Sequence, residues 1–307
     1  MNAQQILALE TTKTEKIKLL LASGMTRKEV AQLLGIGYGF VQNVYAKVYG
    51  VSRTNNRSQM PFRFDRTFGV EIEAKGPELD AICRAINCAG VPCQRETYNH
   101  ATRRHWKVVT DASVPGGFEV VSPVLKGKGG LEQLRKVCEA LAQAGACIDR
   151  RCGLHIHLGT GDFGEDPQVW KALYRNYAAL EETIDAFMPA SRRGSANQYC
   201  HSMRVSELER RLAEASTLRA IERHVTGGSR YFKLNSQSYW RHKTVEFRQH
   251  SGTIDYEKIA NWIEFCARFV EYARRGQQAE PGAEGLKKFL SRKGLEFYQN
   301  RRLQLAA

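Results

Sequence analysis

The chain has 307 residues, 42% of them hydrophobic and 25% charged. That is room for one large domain or two unequal ones with a sizeable core, and no run approaches the roughly 18 apolar residues of a membrane span. The net charge of +14 points to an anionic partner such as nucleic acid or nucleotide phosphate.

None of the eight cysteines makes the C-x2-C spacing of a zinc ribbon. The start, Met1-Asn2-Ala3-Gln4-Gln5, lacks a basic stretch leading an apolar one. Reduced thiols in a cytoplasmic protein are therefore expected.

Residues 1–55 read as a helix-turn-helix domain. A short helix over 14–22 presents Ile17, Leu20 and Leu21, and Ser23-Gly24-Met25 breaks it. Thr26 then caps a second helix, with Glu29 at capping-box spacing and Val30, Ala31, Leu33 and Leu34 on its apolar face. Gly35-Ile36-Gly37 turns the chain into a third helix over 38–49, with Val41, Val44 and Val48 inward and Gln42, Asn43 and Lys47 outward. Eight Lys/Arg stand against three Glu in residues 1–60, the balance a DNA-binding module needs to neutralise phosphates. A module that docks on protein or joins copies of the chain is the alternative. Residues 56–62, polar and aperiodic, read as a linker.

A second domain follows over 63–280. Val70, Ile72 and Ala74 alternate with Glu71 and Glu73 on a strand. Helices are expected at 78–89, 131–144, 170–188, 205–215, 218–225 and 256–274, and strands at 106–111, 118–122, 154–158, 231–234 and 244–250, with a hairpin turn at Pro115-Gly116-Gly117. A polar irregular loop is expected over 192–201, and residues 281–307 read as a single basic C-terminal helix. Hairpins without regular strand–helix alternation predict an α+β fold with a mainly antiparallel sheet.

The strands carry Glu71, Glu73, Asp111, Glu119, His155, His157, Glu246, Arg248 and His250 at polar positions. An alternating strand alone is an ordinary solvated edge. Several such strands sharing one face would make an acidic concavity with imidazoles beside it. Close carboxylates raise one another's pKa, and a divalent cation relieves this. A mostly carboxylate donor set suits Mg²⁺ or Mn²⁺. Arg192, Arg193, Arg204, Arg230 and Arg248 are donors fitted to phosphate. There is no G-x4-G-K-[ST] loop, so a nucleotide would be held by metal and side chains.

The segments "FGVEIEA", "WKVVTDASVPGGFEVVSPVL", "CGLHIHLG", "SRRGSANQYC" and "RYFKLNSQSYWRHKTVEFRQHSGTIDYEKIANWIEF" resemble the amidoligase family, relatives of glutamine synthetase and glutamate–cysteine ligase. The resemblance runs over residues 66–272. It implies a glutamine synthetase-like domain with a curved antiparallel sheet, and ATP- and Mg²⁺-dependent joining of a carboxylate to an amine through an acyl phosphate. It further implies Glu71, Glu73, Asp111, Glu119, His157 and Glu246 as metal ligands, and Arg248 with Arg192 or Arg193 as phosphate donors. Asn197, Tyr199, Lys233 and Asn235 match positions near nucleotide or substrate. His250 or an acidic residue would take the amine's proton, and the role of His155 stays open. The same resemblance suggests a phage or prophage setting, a nucleic-acid-associated, protein or cell-wall target, and a homo-oligomer. The alternatives are a metal-dependent nuclease or phosphodiesterase, and a DNA-binding scaffold with an inactive ligase domain.

Overall fold

A computed structural model describes residues 3–23, 25–48 and 66–306. The linker expected at 56–62, and Gly24, lie outside the described residues. The chain divides into two compact units, Met1–Met60 and Pro61–Ala307.

In the first unit α1 (Ala3–Leu7), α2 (Lys13–Ala22), α3 (Arg27–Leu33) and α4 (Tyr38–Val48) enclose one small core of Ile6, Ile17, Leu20, Val30, Ala31, Val41 and Val44. The capping box closes from both sides. Glu29 N–H donates to Thr26 Oγ1 at 3.3 Å, and Thr26 N–H donates to Glu29 Oε2 at 2.7 Å. Gln42, expected to face outward, instead accepts from Arg27 Nη1 at 2.7 Å. The Arg27 guanidinium lies 4.7 Å over the Tyr45 ring.

In the second unit the order is β1 (Thr67–Lys75), α5 (Leu79–Cys88), β2 (Cys93–Arg95), β3 (Trp106–Asp111), β4 (Gly117–Val121), β5 (Leu125–Lys126), α6 (Gly127–Gln143) and β6 (Leu154–Gly159). Then come α7 (Pro167–Asp185), α8 (Leu208–Glu214), α9 (Leu218–Thr226), β7 (Leu234–Asn235), α10 (Ser238–His242), β8 (Thr244–Phe247), α11 (Tyr256–Arg274), α12 (Gly282–Lys287) and α13 (Arg292–Ala306). The fold is α+β. One sheet runs β2-β3-β4-β1-β6-β8-β7, with β5 paired to β1. The β2–β3 pair is parallel and the other pairings are antiparallel.

Register decides what each face carries, because directly opposed residues point the same way. Val108 opposes Val120, Val120 opposes Ile72, Val70 opposes Ile156, and Ile156 opposes Phe247. All six are buried, and α11 and α5 pack against the sheet. The core behind the sheet is aromatic: Trp262, Phe265 and Phe269 of α11 stack in series, and Phe247 and Tyr177 meet Phe269 edge-on. The other face is left for polar residues. Among the described residues no helix is long and apolar enough to cross a membrane, and all eight cysteines are free.

Several elements differ from their expected bounds. α6 starts at Gly127, four residues early, because Gly130 lets it approach β5: a Cβ there would lie 2.8 Å from Leu125 Cβ. The C-terminal segment is two helices, since Ser291 Oγ accepts from Gly294 N–H at 3.1 Å and caps α13. α13 belongs to the core, with Tyr298 4.4 Å from Phe187.

The stretch 231–233 leaves the sheet to exchange backbone bonds with His201, and only Leu234 and Asn235 pair with β8. β8 stops at Phe247, because Arg248 N–H turns to Lys233 O at 2.9 Å. His250 therefore does not continue the polar face. It is 1% exposed, packs 5.5 Å from Trp262 and donates Nδ1–H to Ser251 O at 2.7 Å.

Burial, with Arg301, Lys258 and Arg192 nearby, drives the His250 imidazole down from its ordinary 6.5 to about 3. The unfolded chain thus takes up this proton first, and stability falls as pH drops from 6.5 towards 3. Urea unfolding should show the native chain losing about 2 kcal/mol more than His250→Phe between about pH 6.5 and about pH 5. Parallel stability–pH curves would refute this.

Candidate active site

Five strands converge on one row. Glu73 opposes Glu119 across β1–β4, and Glu71 opposes His155 across β1–β6. His157 opposes Glu246 across β6–β8, and Glu246 opposes Asn235 across β8–β7. The row faces a cavity of about 780 Å³. Its spacing follows from the ladder: residues two apart on a strand return to the same face, and opposed pairs approach within side-chain reach.

The distances are short. His155 Nδ1 is 3.1 Å from Glu71 Oε2 and 3.7 Å from Glu246 Oε1, and its Nε2 is 3.5 Å from Glu73 Oε1. His157 Nε2 lies 3.2 Å from Glu71 Oε1 and 4.0 Å from Glu246 Oε1. It is out of line for a hydrogen bond and has none. Its other nitrogen is 3.1 Å from Thr244 Oγ1. An imidazole that donates Nδ1–H to that hydroxyl leaves its Nε2 lone pair free beside the carboxylates, the usual support of a metal-ligating histidine.

Gly153 N–H donates to Glu73 Oε2 at 2.5 Å. A Cβ on Gly153 would sit 3.1 Å from His155 Nε2 and 3.3 Å from both Glu73 Oε2 and Arg192 Nη2. A larger residue there would crowd the row.

The electrostatics of the row are divided. Burial raises the Glu71 carboxyl, but His157 and His155 outweigh it and hold Glu71 well below the ordinary range. Burial and then Glu71, Glu73 and Asp111 push Glu119 well above it. For His157, burial opposes charging and Glu71 overcomes that, so its pKa is raised. For Glu246, burial is outweighed by Arg248 and the two histidines, and its pKa is lowered.

Carboxylates crowded in this way suit a bound cation. Glu71, Glu119 and His155 form one candidate metal group, and Glu71, His157 and Glu246 a second, with donor atoms in each group within 4.8 Å of one another. Buried Asp111 Oδ2 also lacks a hydrogen-bond partner, while Asp111 Oδ1 accepts from Ser113 N–H and Oγ–H. The oxygen-rich set with two imidazoles fits Mg²⁺ or Mn²⁺.

His155, whose role the sequence leaves open, sits at the centre of the row. Arg192 is 3% exposed and lines the cavity. Its Nη2 donates to Cys152 O at 2.6 Å and Arg151 O at 3.1 Å, and its Nε has no partner. Arg248 pairs with Glu246 and donates Nε–H to Tyr199 O at 3.3 Å. Burial opposes its charge, and Glu246 and Glu71 overcome that and raise its pKa. Asn235 Nδ2 donates to Glu246 Oε2 at 2.7 Å, and Tyr199 is on the cavity wall.

Other expected site residues stand back. Lys233 is fully buried between Glu181 and Asp185, 2.7 Å from each, and does not line the cavity. Arg193 is exposed and donates to Met188 O at 2.8 Å. Asn197 Oδ1 accepts from Tyr199 N–H at 2.8 Å and shapes that loop without reaching the cavity. His250 lies behind the sheet. Sequence reasoning passed over Lys107, a buried lysine on the cavity wall. Its signal was a lone lysine between Trp106 and Val108, at an inward strand position opposite Val121.

The sequence profile of the protein family described as "Putative amidoligase enzyme" matches residues 65–270. No curated protein matches the chain.

Because Glu71 belongs to both groups, Mn²⁺ titration of the full chain followed by electron paramagnetic resonance should count two bound ions. Glu71→Gln should weaken both by about tenfold or more, whereas Glu119→Gln and Glu246→Gln should each weaken mainly one. Two ions bound to Glu71→Gln with native affinity would overturn the arrangement.

Proposed function

The chain belongs to the amidoligase family, and on that footing we propose that it is an ATP- and Mg²⁺-dependent ligase joining a carboxylate to an amine. The observation that carries this is the meeting, in one cavity, of the Glu71–Glu119–His155–His157–Glu246 row with the guanidiniums of Arg192 and Arg248. Carboxylates and arginines side by side suit a nucleotide triphosphate undergoing phosphoryl transfer better than they suit hydrolysis alone.

Divalent cations held by the row would supply charge neutralisation for the nucleotide's phosphates. Arg192 is braced by two backbone carbonyls, which orients its remaining donors. Arg248, held by Glu246 and Tyr199 O, lines the same cavity. The substrate carboxylate oxygen attacks the γ-phosphorus, the bond to the bridging oxygen breaks, and ADP leaves an acyl phosphate. The amine nitrogen then attacks the carbonyl carbon, the carbon–oxygen bond to phosphate breaks, and the nitrogen loses a proton. With His250 behind the sheet, carboxylates of the row are the nearby acceptors for that proton. The arginines stabilise the departing phosphate.

The first unit is read as a DNA-binding helix-turn-helix that brings a cytoplasmic ligase to a nucleic-acid-associated target. Three helices α2–α4, the cap at Thr26 and the excess of Lys/Arg over Glu support it.

ADP release should require both an amine and a carboxylate, and should vanish in Glu246→Gln. Mg²⁺-dependent cleavage of nucleic acid without ATP would favour the nuclease alternative and sink the ligase. DNA binding should weaken steeply with salt and disappear when residues 1–55 are deleted. Binding that survives the deletion would dissociate it from the first unit.

A further inference from the structure

The cavity is not acidic throughout. Its wall also carries His100, Arg230, Arg241 and His242, none of which the steps above employ. His242 adjoins the row, its ring centroid 6.4 Å from that of His157. His100 Nε2 is 3.3 Å from Tyr98 Oη. Arg230 Nη2 donates to Tyr231 Oη at 3.3 Å, and its guanidinium lies 5.1 Å from the centre of that ring.

Among the described residues no carboxylate pairs with Arg230 or Arg241. Elsewhere, Arg66, Arg95, Arg103, Arg135, Arg175 and Arg210 each hold a carboxylate. Two guanidiniums on the cavity wall thus have no carboxylate partner among the described residues.

The wall is also anchored. Buried Lys107 spends its ammonium on the loop that carries His100, donating to Asn99 O at 2.8 Å, Asn99 Oδ1 at 3.0 Å and Ala101 O at 3.0 Å. Thr102 Oγ1 lies 3.2 Å from His242 Nδ1 and ties the same loop to α10. Burial, then Arg230 and Arg241, holds His100 below its ordinary pKa. Glu71 pulls it the other way, and its effect is the smaller. Fixed imidazole donors beside two unpaired guanidiniums are what an anion receptor requires.

We propose that His100, Arg230, Arg241 and His242 form a subsite for an anionic group, phosphate or carboxylate, of a ligand entering this cavity. Arg230 and Arg241 supply the charge, and His100 and His242 supply ring N–H donors. The subsite deepens the ligase reading and rests on it only for which molecule carries the anion: the nucleotide, or an acidic acceptor.

The test is calorimetric titration of the full chain in EDTA with inorganic pyrophosphate and with tricarballylate. At least one should bind saturably, and Arg230→Gln/Arg241→Gln should weaken that binding by about tenfold or more. Arg135→Gln/Arg210→Gln, which removes the same charge away from the cavity, should leave it unchanged. Thermal unfolding checks that both variants fold; Arg210, Arg230 and Arg241 are exposed and Arg135 is half-buried.

Titration of the Mn²⁺-loaded chain with a non-hydrolysable ATP analogue separates the two sources. A loss of analogue affinity parallel to that of pyrophosphate assigns the subsite to the nucleotide. Native analogue affinity with lost tricarballylate binding assigns it to the acceptor. Absence of saturable binding by either anion, or equal affinity in the native chain and Arg230→Gln/Arg241→Gln, overturns the subsite. None of these measurements needs turnover, so a chain that binds the anions through these residues yet never releases ADP would sink the ligase and leave the subsite standing.

Discussion

The second unit depends on keeping Glu71, Glu73, Glu119 and Glu246 together on one sheet face. Two unit charges 4 Å apart repel by about 4 kcal/mol even at an effective dielectric constant of about 20, and here the carboxylates are largely buried. The chain meets this in three ways. His155 and His157 stand between the acids, Arg248 pairs with Glu246, and Glu119 is driven towards its neutral form. Each is a partial substitute for a cation. The same crowding makes strand register critical. A slip of one residue in β1 would send Glu71 and Glu73 into the aromatic core and bring Val70 and Ile72 to the cavity.

Behind the cavity, a second buried ionic group sets the loop that supplies Arg192 and Tyr199. Glu181 accepts from Lys233 Nζ and from Met203 N–H, and Asp185 accepts from Lys233 Nζ and Gly194 N–H. Both ends of the 194–203 segment are thereby fastened to α7. Gln249 joins by donating to Asp185 and to Arg192 O at 3.2 Å, and Tyr177 Oη donates to Gln249 at 2.6 Å. Buried ion pairs recover little net stability after desolvation, but breaking one leaves a charge stranded. What this group contributes is placement. Lys233 N–H and O bond His201 O and Arg248 N–H, so one residue fixes the loop and the turn that bear the guanidiniums.

The row was legible in the sequence because alternation is a local property. Glu71 with Glu73, and His155 with His157, share a face wherever the strand runs straight, and the β6–β8 ladder carries Glu246 into line. Glu73, Glu119, His157 and Asn235 meet through register, which follows once the apolar faces are matched. His250 was misread because strand periodicity was extended past where pairing ends, whereas Lys233 was expected near the ligand from the family resemblance alone. The backbone leaves the ladder at Phe247 and at Leu234, and alternation no longer assigns sides beyond those points. Arg192 and Arg193 are adjacent and chemically alike, and only the turn at 190–192 decides which enters the cavity. Lys107 was passed over because its three acceptors come from the loop above it, which strand spacing does not report. In the first unit, local spacing located the Thr26 cap, whereas the Arg27–Gln42 pairing spans two helices and left no local trace.

The cavity is therefore polarised, with carboxylates and imidazoles along the sheet and guanidiniums from Arg192, Arg230, Arg241 and Arg248 around them. Under the ligase reading this polarity constrains the order of events. A free polyphosphate that reaches the row itself meets the carboxylates of Glu71 and Glu73 and is repelled there, whereas a cation held by the row would reverse the sign at that spot and leave the arginines to take the outer oxygens. A cation held by Glu71, Glu119, Glu246 and the two histidines would neutralise phosphate charge, and the arginines would supply the remaining donors, without a glycine-rich phosphate loop. The acceptor carboxylate faces the same repulsion, so it can approach the γ-phosphorus only once the row is neutralised. Charge compensation on β1, β4, β6 and β8 is accordingly a condition for both anions to share the cavity, which a site built from arginines alone would not impose.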